Sequence, residues 1–279
     1  MRLKTMRFSI IPSFLCIVFV FSFLPCVVFA ADAKDPFFEV TSEHFRARHT
    51  IESEREMMQG VLRHAEEYYV RVAHDIGYSR YEDFWTWDRR VVIILYPDQY
   101  AFARFTGSPV WSKGYASRDA RVFRERTIVS YGGQENFVDE VLPHEIAHLM
   151  LWDYLRTPRA VPVWFEEGVA QLQEAGKIDK VQEALRPVVV QGNYIPLSSL
   201  QLMTITGEKD NVKVSLFYAQ SLSIVVFLIQ KYGLDAFHCL CRELRDGMSF
   251  ELALTHAYPS LVESLDMLEK RWVKYFSEQ

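Results

Sequence analysis

The sequence predicts an α+β fold in which a small mixed sheet precedes a mainly helical half. Three observations support this prediction. Strand-like apolar runs lie before residue 134, the longer segments after it repeat their apolar residues with a helical period, and no linker, repeat or low-complexity tract divides the chain. Strands followed by a run of helices are typical of a sheet that lies over a helical layer, with a site between them.

The N-terminal segment has the composition of a secretory leader. Three basic residues within the first seven precede an uncharged stretch, residues 8–31, in which Val28 and Ala30 are the small residues that signal peptidase prefers. We expect cleavage after Ala30, which gives a signal peptide, 1–30, and a single domain, 31–279. The stretch is also long enough to remain as an uncleaved anchor. Either outcome places the domain outside the cytoplasm, in the periplasm or secreted.

The composition indicates a folded domain without a nucleic-acid partner. Hydrophobic residues make up 49% of the chain and charged residues 24%, which is typical of globular proteins. Without residues 1–30 the chain keeps 28 basic and 36 acidic side chains, a net charge of −8, which disfavours binding to nucleic acid. Cys239 and Cys241 lie two positions apart in a predicted helix and point to different faces, so we expect buried thiols and no mutual disulfide.

The strands are predicted in the first half. Residues 37–49 alternate in part and predict a strand, and an unbroken apolar run predicts a buried strand over 89–96. One or two more strands are expected between 114 and 131, where Gly132-Gly133 ends the sheet region.

The helices are predicted from apolar residues that recur at three- and four-residue steps. A loop is expected around residues 192–207. The predicted helices cover residues 52–76, 98–105, 137–155, 163–175, 179–189, 215–231, 234–246 and 260–277.

One predicted helix carries residues that can bind a metal. His144 and His148 lie one turn apart on the same helix face, close enough to share a zinc ion. Glu145 projects beside them and suits a general base, because zinc lowers the pKa of bound water to about 7. A catalytic zinc needs a third protein ligand. Glu167, after 18 intervening residues, can supply it if the chain turns at Thr157-Pro158.

Three neighbouring residues bear on this site. Pro143 removes a helix hydrogen bond, so the helix that carries His144 is expected to begin late or to kink. Glu166 adjoins Glu167, and the choice between them depends on register; the position before Gly168 favours Glu167. Gly168 costs about 1 kcal/mol relative to alanine inside a helix. We attribute this glycine to close approach of the helix that carries His144. The alternative is that Gly168 weakens its own helix and has no role.

The combined pattern resembles a known family. His-Glu-x-x-His followed by the glutamate of Trp-x-x-Glu-Gly-x-Ala resembles the gluzincin metallopeptidases of the peptidase MA-like group. The resemblance implies a small sheet over zinc-bearing helices, one zinc ion on His144, His148 and Glu167, and peptide-bond hydrolysis with Glu145 as the general base. It also makes Tyr218 a candidate donor to the oxyanion. A core tyrosine in a buried network is the equal alternative for Tyr218.

Residues 132–136, Gly-Gly-Gln-Glu-Asn, are similar to the motif by which related aminopeptidases hold a substrate's amino terminus. In those enzymes the motif lies far upstream of the zinc helix, whereas here seven residues separate Asn136 from His144. We therefore expect a loop and a helix entry. Exopeptidase activity is not supported, and an endopeptidase is favoured.

The sequence leaves three functions open. The favoured one is a zinc endopeptidase that acts on peptides or proteins outside the cytoplasm and touches a membrane only through a retained leader. The second is a non-catalytic binding or scaffolding module of the envelope, against which Glu145 argues, because a structural zinc site needs no base. The third is a zinc amidase for cell-wall amides, which uses the same metal chemistry and differs only in its specificity pocket.

Overall fold

The computed structural model describes residues 38–49, 54–78, 85–108, 112–117, 125–156, 161–205 and 208–278. The predicted leader and the predicted turn at Thr157-Pro158 lie outside these ranges. Within them, a small mixed sheet is followed by a mostly helical half, as the sequence predicts.

Five short strands form the sheet in the order β1-β2-β3-β5-β4. The outer pairs, β1 with β2 and β4 with β5, are antiparallel, and the inner pairs, β2 with β3 and β3 with β5, are parallel. The single strand predicted over 37–49 is in fact two strands, β1 and β2. The strands are β1 Phe38–Thr41, β2 Phe45–His49, β3 Val91–Tyr96, β4 Tyr115–Ser117 and β5 Thr127–Tyr131.

Ten helices lie within the described ranges. The predicted helices are found with shifted ends, and two short ones were not predicted: α6 lies in the predicted loop, and α9 precedes the last helix. The helices are α1 Arg55–Asp75, α2 Gln99–Thr106, α3 Leu142–Leu155, α4 Val163–Leu172, α5 Lys177–Val190, α6 Leu197–Leu200, α7 Asn211–Tyr232, α8 Leu234–Arg245, α9 Phe250–Ala257 and α10 Leu265–Glu278.

The main core lies between one face of the sheet and the helical half. Val91, Ile93 and Leu95 alternate along β3 toward this core, which also takes in the apolar faces of α1 and α3. The opposite face of the sheet carries Ile94 and packs a smaller cluster against α2. Helix α3 is apolar all round and almost wholly buried, so its polar residues lie inside the protein.

Helix α3 begins later than predicted, as Pro143 suggests. The sequence predicts one helix over 137–155, but its first five residues form a wider π-helical turn, Phe137–Val141. Pro143 has no N–H to donate to the carbonyl of Asp139 four residues earlier. That carbonyl instead accepts a hydrogen bond from the backbone N–H of Ala175, at 3.0 Å. The proline therefore both sets the helix start and frees an acceptor for another segment.

Gly168 lies where two helices approach closely, but the neighbour is α7. A Cβ at this position would lie 2.5 Å from the carbonyl oxygen of Ser221 and 2.6 Å from a methyl of Val225. The expectation that Gly168 admits the helix carrying His144 is therefore wrong. Glu167 and Gly168 are adjacent, about 100° apart around the helix, so they face different neighbours.

Helix α7 alone among the described helices is long and apolar enough to cross a membrane. Of its most apolar window, 67% is buried inside the protein, so its apolar residues are explained by the core. Such burial is typical of a central packing helix.

The two described cysteines are free thiols, as expected. Cys241 is buried on α8 and Cys239 is half-buried. Burial raises the pKa of the Cys241 thiol, which makes it unreactive.

Gly168→Ala should destabilise the protein by about 1–3 kcal/mol, because the added methyl overpacks the α4–α7 contact. Gly60→Ala is the matched control, since its Cβ would meet only the flexible end of Arg63, at 3.6 Å. That variant should be neutral or slightly stabilising through helix propensity. Urea unfolding of both proteins checks this, and a stabilising Gly168→Ala would contradict the packing argument.

Candidate metal centre

Three predicted ligands converge on one buried point. His144 and His148 project from α3, and Glu167 projects from α4. Each of these three residues is at most 2% exposed. The two Nε2 atoms lie 3.1 Å apart. Oε2 of Glu167 is 3.7 Å from each of them. Within the described part of the chain, this is the one group of His, Cys, Asp and Glu residues close enough to hold a metal ion.

The donor set fits zinc. Oε2 of Glu167 is buried, has no hydrogen-bond partner among the described residues and lies beyond hydrogen-bond distance of both imidazoles. Burial of a carboxylate oxygen that accepts no hydrogen bond costs free energy. A divalent cation between this oxygen and the two Nε2 atoms would offset that cost. Two imidazole nitrogens and one carboxylate oxygen form the protein ligand set of catalytic zinc sites that keep a fourth position open.

Contacts of Glu166 favour Glu167 in the choice between the two adjacent glutamates. Nε1 of Trp152 donates a hydrogen bond to Oε2 of Glu166 at 3.1 Å, which ties the start of α4 to α3. The ring of Trp152 also lies against His148, with centroids 5.4 Å apart. Glu166 is thus directed to the tryptophan, and Glu167 is the residue that faces the imidazoles.

Glu145 lies beside the ligands and against the start of the edge strand β4. It is 1% exposed, and a Cβ added to Gly114 would lie 3.0 Å from its Oε1. Burial lowers the pKa of His148, but the charges of Glu167 and, more weakly, Glu145 outweigh burial and raise it above its usual value. The centre is therefore electronegative, which favours a cation.

A carboxylate that the sequence analysis missed contacts one ligand. Oε1 of Glu174 lies 2.8 Å from Nδ1 of His144. Nζ of Lys177 donates to both oxygens of Glu174, at 2.7 and 2.8 Å. Burial alone would raise the pKa of Glu174, but Lys177 and the hydrogen bond with His144 hold it below its usual value. Glu174 follows the end of α4 at Leu172, so the helical repeat of α4 gave no signal for it.

Tyr218 and Asn136 are the remaining residues that the sequence analysis considered for the site. Tyr218 is buried on α7, where its carbonyl accepts a hydrogen bond from Nε2 of Gln171 at 2.9 Å. Its role as an oxyanion donor stays a prediction. Asn136 has a left-handed backbone (φ 60°) and begins the π-helical turn, so residues 132–136 form a loop and a helix entry, as expected.

Comparison with known families agrees with this geometry. The family model of the peptidase MA superfamily matches residues 86–277, a span that runs from just before β3 almost to the end of α10 and includes all three ligands. No curated protein matches the chain.

Glu167→Gln should weaken zinc binding by at least about 100-fold, because the neutral amide is a poor replacement for a ligand carboxylate. Glu166→Gln is the matched control. Its amide oxygen can still accept from Trp152, and zinc affinity should stay within a few-fold of wild type. Competition with a chromophoric chelator measures both affinities, and equal losses in the two variants would contradict the ligand assignment.

Proposed function

The chain belongs to the peptidase MA superfamily, and from this premise we propose that it is a zinc-dependent endopeptidase that cleaves peptides or proteins outside the cytoplasm. One observation carries the proposal: His144, His148 and Glu167 converge at a buried point, with Glu145 beside them. A purely structural zinc site would need no base there.

The proposed reaction uses the chain's own residues in three roles. His144, His148 and Glu167 hold the ion. When bound there, zinc would act as a Lewis acid for a water molecule and for the scissile carbonyl. Glu145 takes a proton from the attacking water and passes it to the leaving amine as the C–O bond forms and the C–N bond breaks. Tyr218 is the proposed hydrogen-bond donor to the oxyanion.

An edge strand beside the centre supports a peptide substrate. Strand β4 lies at the edge of the described sheet, and it packs against α3. An extended peptide can add to an exposed sheet edge through main-chain hydrogen bonds. Gly114, next to β4, brings the start of this edge strand against the general base, because a Cβ there would lie 3.0 Å from Oε1 of Glu145.

The location and partners are part of the same proposal. The leader-like segment, residues 1–30, supports an extracytoplasmic enzyme that is secreted, periplasmic or held at a membrane by that segment. The net charge of −8 after its removal, from 28 basic and 36 acidic side chains, argues against nucleic acid as a partner.

Glu145→Gln should retain zinc and lose turnover. Removal of a general base is expected to lower kcat/KM by about 10²–10⁴-fold, while the three ligands stay in place. Zinc content and cleavage of a peptide library are measured on the same preparations. Stoichiometric zinc with unchanged turnover would refute the mechanism. Digestion of purified cell-wall material in parallel separates a peptidase from a wall amidase.

Gly114→Ala should lower kcat by about 10–100-fold, because the new methyl collides with the side chain of Val141 and displaces the Glu145 carboxylate. Zinc affinity should change by no more than a few-fold, since the three atoms nearest to the added methyl belong to Val141 and Glu145 and not to a ligand. Gly60→Ala again serves as the control and should behave as wild type. A parallel fall of zinc affinity and kcat would contradict a selective effect on Glu145.

A further inference from the structure

A cavity of about 320 Å³ lies where α1 meets the end of α4, α5, α7 and the start of α8. None of the three predicted metal ligands lines this cavity, and neither does Glu145. Sites for small molecules begin at about 300 Å³. The space is therefore sufficient for one small ligand outside the metal centre.

Four of the lining side chains are apolar, and each is only partly buried. They come from four different elements, so the fold gathers apolar surface here without covering it. Removing such surface from water is favourable, and an apolar group in the cavity would do so. The four are Leu172 of α4, Ile178 of α5, Ile229 of α7 and Leu234 of α8.

Two side chains of α1 give the cavity opposite charges that a ligand can reach. Arg71 is exposed and Asp75 is half-buried. Arg71 directs two of its five N–H donors to Gln173, through Nε and Nη2. Asp75 accepts from Nε2 of Gln173 at 3.0 Å, and its other oxygen lies 3.0 Å from Nδ1 of His74. A carboxylate has about four acceptor positions, so both groups keep capacity for a ligand.

The third charged group of the lining is already occupied. Both carboxylate oxygens of Glu174 accept from Nζ of Lys177, and one of them also contacts His144. The cavity therefore offers one accessible cation and one accessible anion. A ligand with a single charge would leave one of these two groups unmatched, whereas a zwitterion would pair with both.

The amide of Gln173 shows how far apart these two charged groups act. Nε of Arg71 donates to its oxygen at 2.9 Å, and its nitrogen donates to Asp75. The two ends of that amide are attached to one carbon atom. The ammonium and carboxylate of a free α-amino acid are also attached to one carbon, whereas the two termini of a peptide are separated by at least one peptide unit. The spacing therefore favours a single amino acid over a peptide.

We propose that this cavity binds a free α-amino acid with an apolar side chain. The carboxylate of the ligand pairs with Arg71, its ammonium pairs with Asp75, and its side chain covers the four apolar residues. The site goes beyond the proposed peptidase activity and does not depend on it, because no metal ligand and no proposed catalytic residue lines the cavity.

Titration of the full-length protein with L-leucine, followed by NMR, tests the three contacts separately. Leucine amide lacks the carboxylate, N-acetyl-leucine lacks the ammonium, and glycine lacks the apolar side chain. Each should bind at least about tenfold more weakly than L-leucine, because each leaves one part of the cavity unmatched. Equal affinity for leucine amide and L-leucine would overturn the assignment, since the site would then not recognise a free amino acid.

Substitutions on α1 separate recognition from a structural role. Arg71→Gln should weaken L-leucine by about tenfold and leave the weaker affinity for leucine amide unchanged, because that ligand has no carboxylate to lose. Asp75→Asn should act in the same way on L-leucine and spare N-acetyl-leucine. Arg63→Gln is the matched control, since Arg63 is an exposed arginine of the same helix outside the cavity. Equal weakening of all ligands by Arg71→Gln and Asp75→Asn would contradict direct contacts.

Repeating the L-leucine titration with a metal chelator distinguishes this cavity from the metal centre. Affinity should be the same with and without the chelator. Loss of binding on chelation would place the ligand at the metal centre and overturn the proposal, as would the absence of saturable L-leucine binding. Failure of Glu145→Gln to lower turnover would refute the proposed function and leave this site intact.

Discussion

The packing of α4 against α3 determines what the rest of the molecule can do, because it brings ionisable side chains into the core. Glu145, Glu167 and Glu174 are all buried together with the imidazoles of His144 and His148. Lys177 neutralises one carboxylate, and the others remain close to the rings. Burying so much negative charge is unfavourable without a compensating cation. The arrangement is therefore difficult to explain as packing alone, and a divalent ion held by His144, His148 and Glu167 would supply the compensating charge.

Rigid contacts on each side hold the two helices at this separation. At its C-terminal end α3 is tied through Asp153 to the segments that lead into β3 and β5, since Asp153 accepts hydrogen bonds from Trp85 at 2.8 Å and from Arg126 at 2.6 Å. On its other side α4 meets α7 at Gly168, where a side chain would collide with the backbone of α7. Ligand geometry therefore depends on residues beside the sheet and in α7, as expected for a site preorganised by its surroundings.

The sequence predicted those parts of the site that depend on local periodicity. His144, Glu145 and His148 follow from the helical repeat, and the order of sheet and helices follows from the apolar patterns. Helix α6 was missed because four residues are too few to display a period, and α9 was missed although it is as long as α2, which was predicted. The neighbour of Gly168 and the contact of Glu174 depend on how distant segments pack, and one sequence carries no local signal for that.

Pro143 shows how a local rule can reach the site through a long-range contact. From the sequence, this residue could be read only as a disturbance of the helix that carries the ligands. In the fold, the missing N–H leaves the Asp139 carbonyl free, and that carbonyl binds the N–H of Ala175, next to Glu174. An ordinary residue at position 143 could extend the α-helix backward and compete for the same carbonyl. The interruption of the helix thus supplies an anchor for the segment that contacts its first histidine, and π-helical turns of this kind are frequently found at functional sites.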